Sequence, residues 1–208
     1  MDDQFVKIII DIQPTLSGLA ESVENGDMKK GTDLLQEFVT KSKSKYDTDK
    51  EEFLTYLAAT YATLFLNVGP KPVFLVESVY RSEGHILYAK PYFEITDAYA
   101  LLGFEKSKSF SEPEDHIAVE LEFMARLCEL TAQSLSEDNL SYATKYVNLQ
   151  REFLKDHLTK WVPTLTDKLK EASDNLFYTA LAHLTRGFIA QDDQFVDHAY
   201  DELTSGKH

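Results

Sequence analysis

Apolar residues recur at spacings of three and four along most of the chain, and this period constrains the fold more than any other feature. Residues three and four apart share one face of an α-helix, whereas a half-buried strand alternates with a period of two. The clearest run contains Phe53, Leu57, Leu64 and Phe65. No sustained alternation with a period of two is present in the sequence. The pattern predicts an all-α fold.

The helical period is interrupted over one long stretch, at residues 68–91. Gly69, Pro70, Pro72 and Gly84 are spread through this stretch, which is too long for an ordinary turn. We predict one long irregular loop that folds back on the helices, because the stretch also carries apolar side chains. The predicted helices cover residues 5–23 (one or two helices), 27–43, 49–67, 92–102, 113–135, 139–158 and 174–203, with a short piece after Pro163.

The length of the chain predicts one domain. A chain of 208 residues is long enough for a single core, so we expect a single-domain multi-helix bundle over residues 1–208. Tyr61 and Phe65 fall on the apolar side of the helix predicted at 49–67, and we expect them to support the centre of the bundle. A monomer is expected, and exchange of helical halves through residues 68–91 would produce a domain-swapped dimer.

The charge balance argues against nucleic acid as a partner. The chain has 35 acidic and 21 basic residues, and its formal net charge of −14 would repel phosphates. A basic partner fits better. No apolar run approaches the roughly 18 residues of a membrane span, and the run at residues 5–12 is interrupted by Lys7 and Asp11. We therefore expect neither a membrane segment nor an export signal.

Cysteine usage indicates a reducing compartment. Cys128 is the single cysteine, so an intramolecular disulfide is excluded. It falls within the apolar period of the helix predicted at 113–135, which predicts a buried and unreactive thiol.

The segment 111–116, with the sequence SEPEDH, precedes the most regular apolar run of the chain. Ser111 and Glu114 have the spacing of a capping box, and Pro113 would occupy the first helical turn. Capping does not account for Asp115 and His116. They are either an acid favoured by the helix dipole and an edge histidine, or a pair that points out of the bundle and binds a ligand.

The usual signatures of metal and nucleotide chemistry are missing from the sequence. No glutamate has a histidine three positions later, as di-iron bundles require, and no Gly-rich phosphate loop is present. Glu112, His116 and Glu120 are spaced by one helical turn and would make only a weak metal trio. We expect no metal and no cofactor.

Three motifs follow one another in the order and spacing of a known family. They are YATLF at residues 61–65, Glu-Pro-x-Asp-His at residues 112–116, and His157-x-x-x-Trp161-x-Pro163. Between the first two lie Glu77 and Tyr80 of the loop. With these motifs the chain resembles the TorD/DmsD/NarJ family of cytoplasmic redox-enzyme maturation chaperones over its whole length. Thr60, where many family members carry Glu, and the PKPVF sequence at 70–74 depart from the family pattern.

The resemblance implies a cytoplasmic chaperone. Such a protein binds the twin-arginine leader or the apo-precursor of a molybdopterin oxidoreductase until the cofactor is inserted, with transient contact with the export machinery. A receptor for a basic and apolar leader needs acidic groups beside an apolar groove. The residues expected to bind the client are Glu77, Tyr80, Glu112, Pro113, Asp115, His116 and Trp161. Tyr61, Phe65, His157 and Pro163 are expected to support them.

Two alternatives of other classes stay open at this point. Asp115 and His116 would serve an enzyme as an acid–base pair, although no nucleophile or oxyanion arrangement accompanies them. A permanent adaptor or assembly subunit of a respiratory complex would use the same surface without leaving its partner.

Overall fold

The computed structural model of the chain describes residues 25–205 together with Gln4 and Lys7. Apart from Lys7, the helices predicted at 5–23 lie outside the described residues. Within the described part the protein is helical, with one isolated β-bridge between Val76 and His116, so the all-α prediction is confirmed. The elements are α1 Gly26–Thr48, α2 Lys50–Phe65, α3 Glu77–Arg81, α4 Lys90–Ala100, α5 Ile117–Ser136, α6 Leu140–Phe153, a π-helix Leu154–Leu158, α7 Thr159–Ala172 and α8 Leu176–Thr204.

Side-chain caps set the starts of several helices. The side chain of Asn25 accepts hydrogen bonds from the first turn of α1, Asp49 caps α2 and Asn139 caps α6. Each cap satisfies backbone N–H groups that have no partner inside the helix. Among the described helices, none combines the length and the apolar character that a membrane-spanning segment needs.

The described residues form two compact units, whose boundaries fall between Phe74 and Leu75, within α7 and within α8. The first unit contains the described residues up to Phe74 together with Thr164–Phe188, and the second contains Leu75–Pro163 and the residues from Ile189 onward. The single domain predicted over residues 1–208 stays a prediction.

The first unit has a core of aromatic rings. Phe38 of α1 lies 6.4 Å from Phe53 of α2 and 5.3 Å from Phe177 of α8, measured between ring centroids. The helices also approach closely at Gly31 and Gly187, where an added Cβ atom would lie only 2.7 Å from the nearest atom of the facing helix. These two glycines allow α1 and α8 to pack at short range.

The second unit has its own aromatic core. Tyr99 of α4, Phe123 of α5 and Phe153 of α6 are buried, and their ring centroids lie 4.7–6.2 Å apart. These separations are typical of favourable aromatic packing. The core holds α4, α5 and α6 around the residues of the predicted site.

The loop predicted at 68–91 is partly helical. Its middle forms α3 and its end forms the first turn of α4, where Pro91 is tolerated because the first turn needs no N–H from it. A helix as short as Glu77–Arg81 has too few residues to show a period of 3.6, so the sequence pattern could not reveal it.

The helix predicted to end at residue 158 does not end there. α6 continues through the π-helix into α7, and Pro163 lies inside α7 instead of following a break. π-Helical turns occur mostly as single insertions within α-helices and are frequent at functional sites.

The prediction of a buried Cys128 is wrong, since the residue is exposed. Leu127 and Met124 take the buried face of α5, and Cys128 falls at the edge of that face. A position one residue away from the core side of a helix lies about 100° around its axis, which is why the apolar period misplaced it.

Candidate functional site

The start of α5 differs from the predicted capping box. The helix begins at Ile117, not at Pro113, and its N-cap is His116, whose Nδ1 accepts a hydrogen bond from the N–H of Ala118 at 3.1 Å. Pro113 is buried in the turn that precedes the helix. The capping box of Ser111 and Glu114 therefore does not form.

Pairing between distant segments explains the later start. The N–H of Glu77 donates to the carbonyl of Asp115 at 2.9 Å, and the N–H of Ile117 donates to the carbonyl of Leu75 at 2.9 Å. These bonds hold His116 in an extended conformation, with ψ at 137°. The backbone groups are satisfied by strand-like pairing with the 75–77 segment, so the helix cannot extend toward Pro113.

Asp115 is fully buried, although the sequence placed it at the edge of a groove. Its Oδ2 accepts a hydrogen bond from the N–H of Ser78 at 2.8 Å. Val76, the N-cap residue of α3, supplies no side-chain cap, so Asp115 caps α3 from a different part of the chain. Burial raises the pKa of Asp115, and the hydrogen bonds with Ser78 oppose this shift. The exposed position expected for Asp115 is wrong, while its role in client binding stays a prediction.

Glu77 joins α3 to the π-helix. Its buried carboxylate lies 2.9 Å from Nδ1 of His157 and also pairs with the guanidinium of Arg81. Arg81 in turn donates to the backbone carbonyl of Asp156 at 2.7 Å. Two side chains of the short helix α3 therefore bind one turn of the π-helix, and the charge of Glu77 is paired within the protein.

A second buried carboxylate lies beside this pair. Glu120 of α5 accepts a hydrogen bond from Nε1 of Trp161 at 3.1 Å, and both side chains are fully buried. The ring of Tyr80 packs on Trp161 with a centroid separation of 5.5 Å. Burial, together with the negative charge of Glu77, raises the pKa of Glu120 well above its usual range. Oε1 of Glu120 has no hydrogen-bond partner.

Sequence reasoning missed Arg81 and the structural role of Glu120. A signal for Glu120 was available, because it is an acidic residue on the apolar side of α5, three and four positions before the buried residues Phe123 and Met124. A carboxylate on a core face is usually paired or protonated. Arg81 lies in a helix that no sequence pattern indicated.

The weak metal trio is not assembled. Glu112 is exposed, Glu120 is buried, and Nδ1 of His116 already accepts a backbone hydrogen bond. No group of three histidine, cysteine, aspartate or glutamate residues is suitably arranged for a metal ion within the residues that the structure describes.

An exposed apolar surface lies beside the start of α5. We call it the apolar loop surface, and it consists of Ile86, Leu87, Tyr88 and Phe93. The side chains of Ile86 and Phe93 are each 58% exposed. Tyr88 has a φ of 55°, a left-handed conformation that is costly for a bulky residue. Strained backbone persists where surrounding contacts enforce it and is enriched at functional sites.

Tyr92 connects the apolar loop surface to the Glu-Pro-x-Asp-His segment. Its ring contacts those of Tyr88 and Phe93 at centroid distances of 5.0 and 5.3 Å. Burial raises the pKa of Tyr92 to about 12, and a hydrogen bond with the side chain of Glu114 adds to the shift. Exposed apolar groups and carboxylates are therefore neighbours at this point of the second unit.

The predicted site residues do not all lie together. Glu77, Asp115, Trp161 and His157 form one buried cluster in the second unit. Glu112 is exposed, Tyr80 and His116 are half-buried, and Pro163 lies one turn after the π-helix in α7.

Tyr61 and Phe65 belong to the first unit. The ring of Phe65 lies 5.1 Å from that of Tyr61 and 5.6 Å from that of Tyr178. Tyr61 is exposed, whereas the sequence placed it at the centre of the bundle. The helical period put it on the core side of α2, but Leu57 and Leu64 occupy that side.

Comparison with known proteins identifies the family. The family model described as nitrate reductase delta subunit matches residues 24–167. A chaperone protein TorD of Vibrio cholerae is 30% identical over 160 residues, which cover 77% of this chain and 69% of that protein. A chaperone protein TorD of Photobacterium profundum is 30% identical over 181 residues, which cover 87% of this chain and 79% of that protein.

No solved structure is significantly similar to the chain. The relatives are named as chaperones, not as enzymes, and no acid–base pair is exposed at the predicted site, because Asp115 is buried. The family model covers more than half of the chain and includes all three motifs. The chain belongs to the TorD/NarJ family of maturation chaperones.

Proposed function

We propose that the protein is a cytoplasmic chaperone for a molybdopterin oxidoreductase, and that it binds the twin-arginine leader of the precursor until the cofactor is inserted. Membership of the TorD/NarJ family supports the chaperone class and the kind of client. Such a leader is present only before export, so the binding event belongs to the cytoplasm. A transient contact with the export machinery would follow release.

The observation that carries the proposal is the apolar loop surface with carboxylates beside it. A leader combines a basic start with an apolar centre that readily forms a helix. Exposed Ile86, Leu87, Tyr88 and Phe93 offer apolar contact area, and exposed Glu112 offers negative charge. The charge of the half-buried Glu114 is partly compensated by Lys106, whose Nζ lies 3.7 Å away. Solvent-exposed clusters of large apolar side chains commonly mark binding surfaces.

The buried cluster has a supporting role in this proposal. Glu77, Asp115 and Trp161 are fully buried, so they act by fixing α3 and the start of α5. His116 and Tyr80 are partly accessible and complete the client-facing part together with Glu112. Pro113 holds the buried turn that places Glu112 and Glu114.

The experiment is titration calorimetry with a synthetic twin-arginine leader of the chain's own client. The double variant Ile86→Asn and Tyr88→Asn removes apolar area, and Asn tolerates the left-handed conformation at position 88. We expect at least a tenfold loss of affinity, about 1.4 kcal/mol. The matched control is Leu140→Asn with Tyr142→Asn, which removes similarly exposed side chains from α6. Equal affinity of both double variants would reject the surface.

Salt separates the two parts of the contact. Because the chain carries a net charge of −14, added salt should weaken leader binding, while the apolar part should survive. An affinity independent of ionic strength would contradict the electrostatic part of the proposal.

The adaptor alternative differs in what happens after maturation. A chaperone leaves the mature enzyme, whereas a permanent subunit co-purifies with it. Recovery of the protein in stoichiometric complex with the cofactor-loaded enzyme would favour the adaptor and contradict the chaperone.

A further inference from the structure

A groove on the second unit is not used by the proposed leader site. It lies between α5, α6 and the C-terminal part of α8 and has a volume of about 480 Å³. Val147, Gln150 and Val196 are buried at its base, while Leu135 and Phe195 are exposed along its walls. This volume is within the range of sites that bind ligands in proteins.

Two apolar stripes form the walls of the groove. On α8, Phe195, Ala199 and Leu203 are spaced by four residues and share one face. On α5, Ala132 and Leu135 occupy the corresponding face. Phe195 is 67% exposed, so the wall of the groove presents a large apolar side chain to solvent. At a rise of 1.5 Å per residue, the α8 stripe extends the groove over about two helical turns.

The charge around the groove is negative. Glu202 lines the groove, and its side chain is 70% exposed. Its Oε1 lies 3.3 Å from Nε2 of His198. Partial burial raises the pKa of Cys128, another lining residue, and the charges of Asp192 and Glu129 raise it further. Glu129 pairs with Arg126 at 2.9 Å, so Glu202 is the carboxylate that lines the groove. Among the described residues that line the groove, none is a lysine or an arginine.

We propose that this groove binds an amphipathic helix of a partner protein, with an apolar stripe flanked by lysine or arginine residues. Apolar side chains at positions i, i+4 and i+7 of such a helix would lie between the two stripes, as in other helix-in-groove complexes. The basic residues of such a helix would lie next to Glu202 at the rim of the groove.

The charge selects this occupant over a second copy of the chain. Two copies that met face to face at this groove would bring the Glu202 carboxylate of each copy into the same interface. Like charges in an interface are costly, and the net charge of −14 adds to the repulsion. A partner with the opposite charge gains from the same groups.

Cys128 supplies a direct readout. It is the single cysteine, it is exposed, and it lines the groove, so a bound helix should shield it from alkylation. The probe is a designed peptide of about 14 residues with leucine on one helical face and lysine on its flanks. The comparison peptide has glutamate in place of lysine. Binding is measured by fluorescence anisotropy and shielding by the rate of N-ethylmaleimide labelling at fixed pH.

The expected result is binding of the lysine peptide, slower labelling of Cys128, and weak binding of the glutamate peptide. Phe195→Ala and Glu202→Lys should each lower affinity for the lysine peptide at least about tenfold. Both side chains are exposed, so these variants should fold. Glu51→Lys changes the net charge by the same amount on α2 of the first unit and should leave binding nearly unchanged.

Three results would overturn the proposal. The first is equal affinity of the lysine peptide for the two groove variants and for Glu51→Lys. The second is an unchanged labelling rate of Cys128 at saturating peptide. The third is shielding of Cys128 that depends only on protein concentration, which would indicate that a second copy of the chain covers the groove. Leader binding is tested on the same variants. If Phe195→Ala binds the leader with unchanged affinity, the groove and the leader site are different sites. This proposal and the proposed leader site can therefore fail independently.

Discussion

At the scale of single residues, Asp115 links the start of α3 to the start of α5, two segments that are distant in sequence. Its backbone carbonyl accepts from Glu77, its side chain caps α3 through Ser78, and the next residue caps α5. A carboxylate that satisfies a buried N–H is costly to remove, because the N–H is then left without a partner.

Asp115→Ala should therefore lower the free energy of unfolding by about 1–3 kcal/mol. This is more than the 0.3–1 kcal/mol or so expected for an exposed acid at a helix dipole. Asp115→Asn retains an acceptor oxygen and should cost much less. Urea unfolding of the two variants decides, with exposed Glu112→Ala as the control. Equal losses for Ala and Asn would show that the hydrogen bond to Ser78 is not the main contribution.

Glu120 makes stability depend on pH. Burial raises the pKa of Glu120 in the folded protein. At a pH between the ordinary carboxyl pKa and this raised value, the folded protein therefore keeps a proton that the unfolded chain has released. The contribution of Glu120 to stability is complete below the ordinary carboxyl pKa and is lost as pH rises toward the raised value.

Glu120→Gln should remove the loss of stability that the protein suffers as pH rises. Glutamine keeps an acceptor for the N–H of Trp161 and carries no charge beside Glu77. Relative to the unmodified protein, the variant should gain about 1–3 kcal/mol between about pH 5 and pH 8. Urea unfolding across that range is the measurement, and Glu122→Gln on the exposed side of α5 is the control. A constant difference across the range would contradict a protonated Glu120.

At the scale of secondary-structure elements, the start of α5 depends on a histidine cap that works only when neutral. Burial lowers the pKa of His116, and the charge of Glu112 opposes that shift. As pH falls below about 6.5, the unfolded chain binds a proton that the folded protein resists, so stability is lost in that direction.

His116→Ala should cost about 0.5–2 kcal/mol at about pH 7.5, because the N–H of Ala118 loses its cap. His116→Asn should largely preserve the cap. On acidification to about pH 5.5, the unmodified protein should lose more stability than His116→Asn. Thermal unfolding at the two pH values tests this. The cap assignment fails if His116→Ala is as stable as His116→Asn at the higher pH.

The contact of α1 with α8 depends on Gly187. An added Cβ atom would lie 2.7 Å from the backbone nitrogen of Met28 and 3.0 Å from Oδ1 of Asn25, the N-cap of α1. Backbone cannot yield as a flexible side chain does. The first turn of α1 would therefore have to move away from α8.

Gly187→Ala should lower the free energy of unfolding by about 1–3 kcal/mol. Gly26→Ala is a matched control, because an added Cβ atom there meets nothing within 4 Å. That variant should be neutral or slightly stabilised, by up to about 1 kcal/mol. Chemical denaturation of both proteins provides the comparison. A neutral Gly187→Ala would mean that the two helices can separate at little cost.

At the scale of the whole molecule, the excess of acidic residues opposes the compact state. A net charge of −14 produces long-range repulsion that salt screens, whereas exposed ion pairs such as Asp197 with Arg151 contribute less than about 1 kcal/mol each. Repulsion should therefore dominate the response to salt.

Raising sodium chloride from about 0.05 to about 0.5 M should increase the thermal midpoint by a few degrees. The double variant Glu51→Lys and Glu137→Lys, at exposed positions, reduces the net charge and should gain less from salt. Scanning calorimetry at the two concentrations tests this. A midpoint that falls with salt would show that specific ion pairs outweigh the repulsion.

Much of the secondary structure was predictable. α1, α2, α5, α6 and α8 carry apolar residues with a period close to 3.6, so their existence follows from local pattern, with ends displaced by one to five residues. α3 and the π-helix were not predictable. A five-residue helix has too short a run to show a period, and a π-helical turn differs from an α-helical one only in the spacing of its backbone bonds.

The sequence alone determined the all-α class and the family, because both depend on residue types at regular spacing. Only the tertiary structure decided that Asp115 faces inward, that His116 begins α5, and that Glu120 is buried beside Trp161. Each of these outcomes depends on a partner 37 or more residues away or on pairing with the 75–77 segment. Local pattern states which side chains are present, but their burial and protonation are set by groups that only the fold brings close.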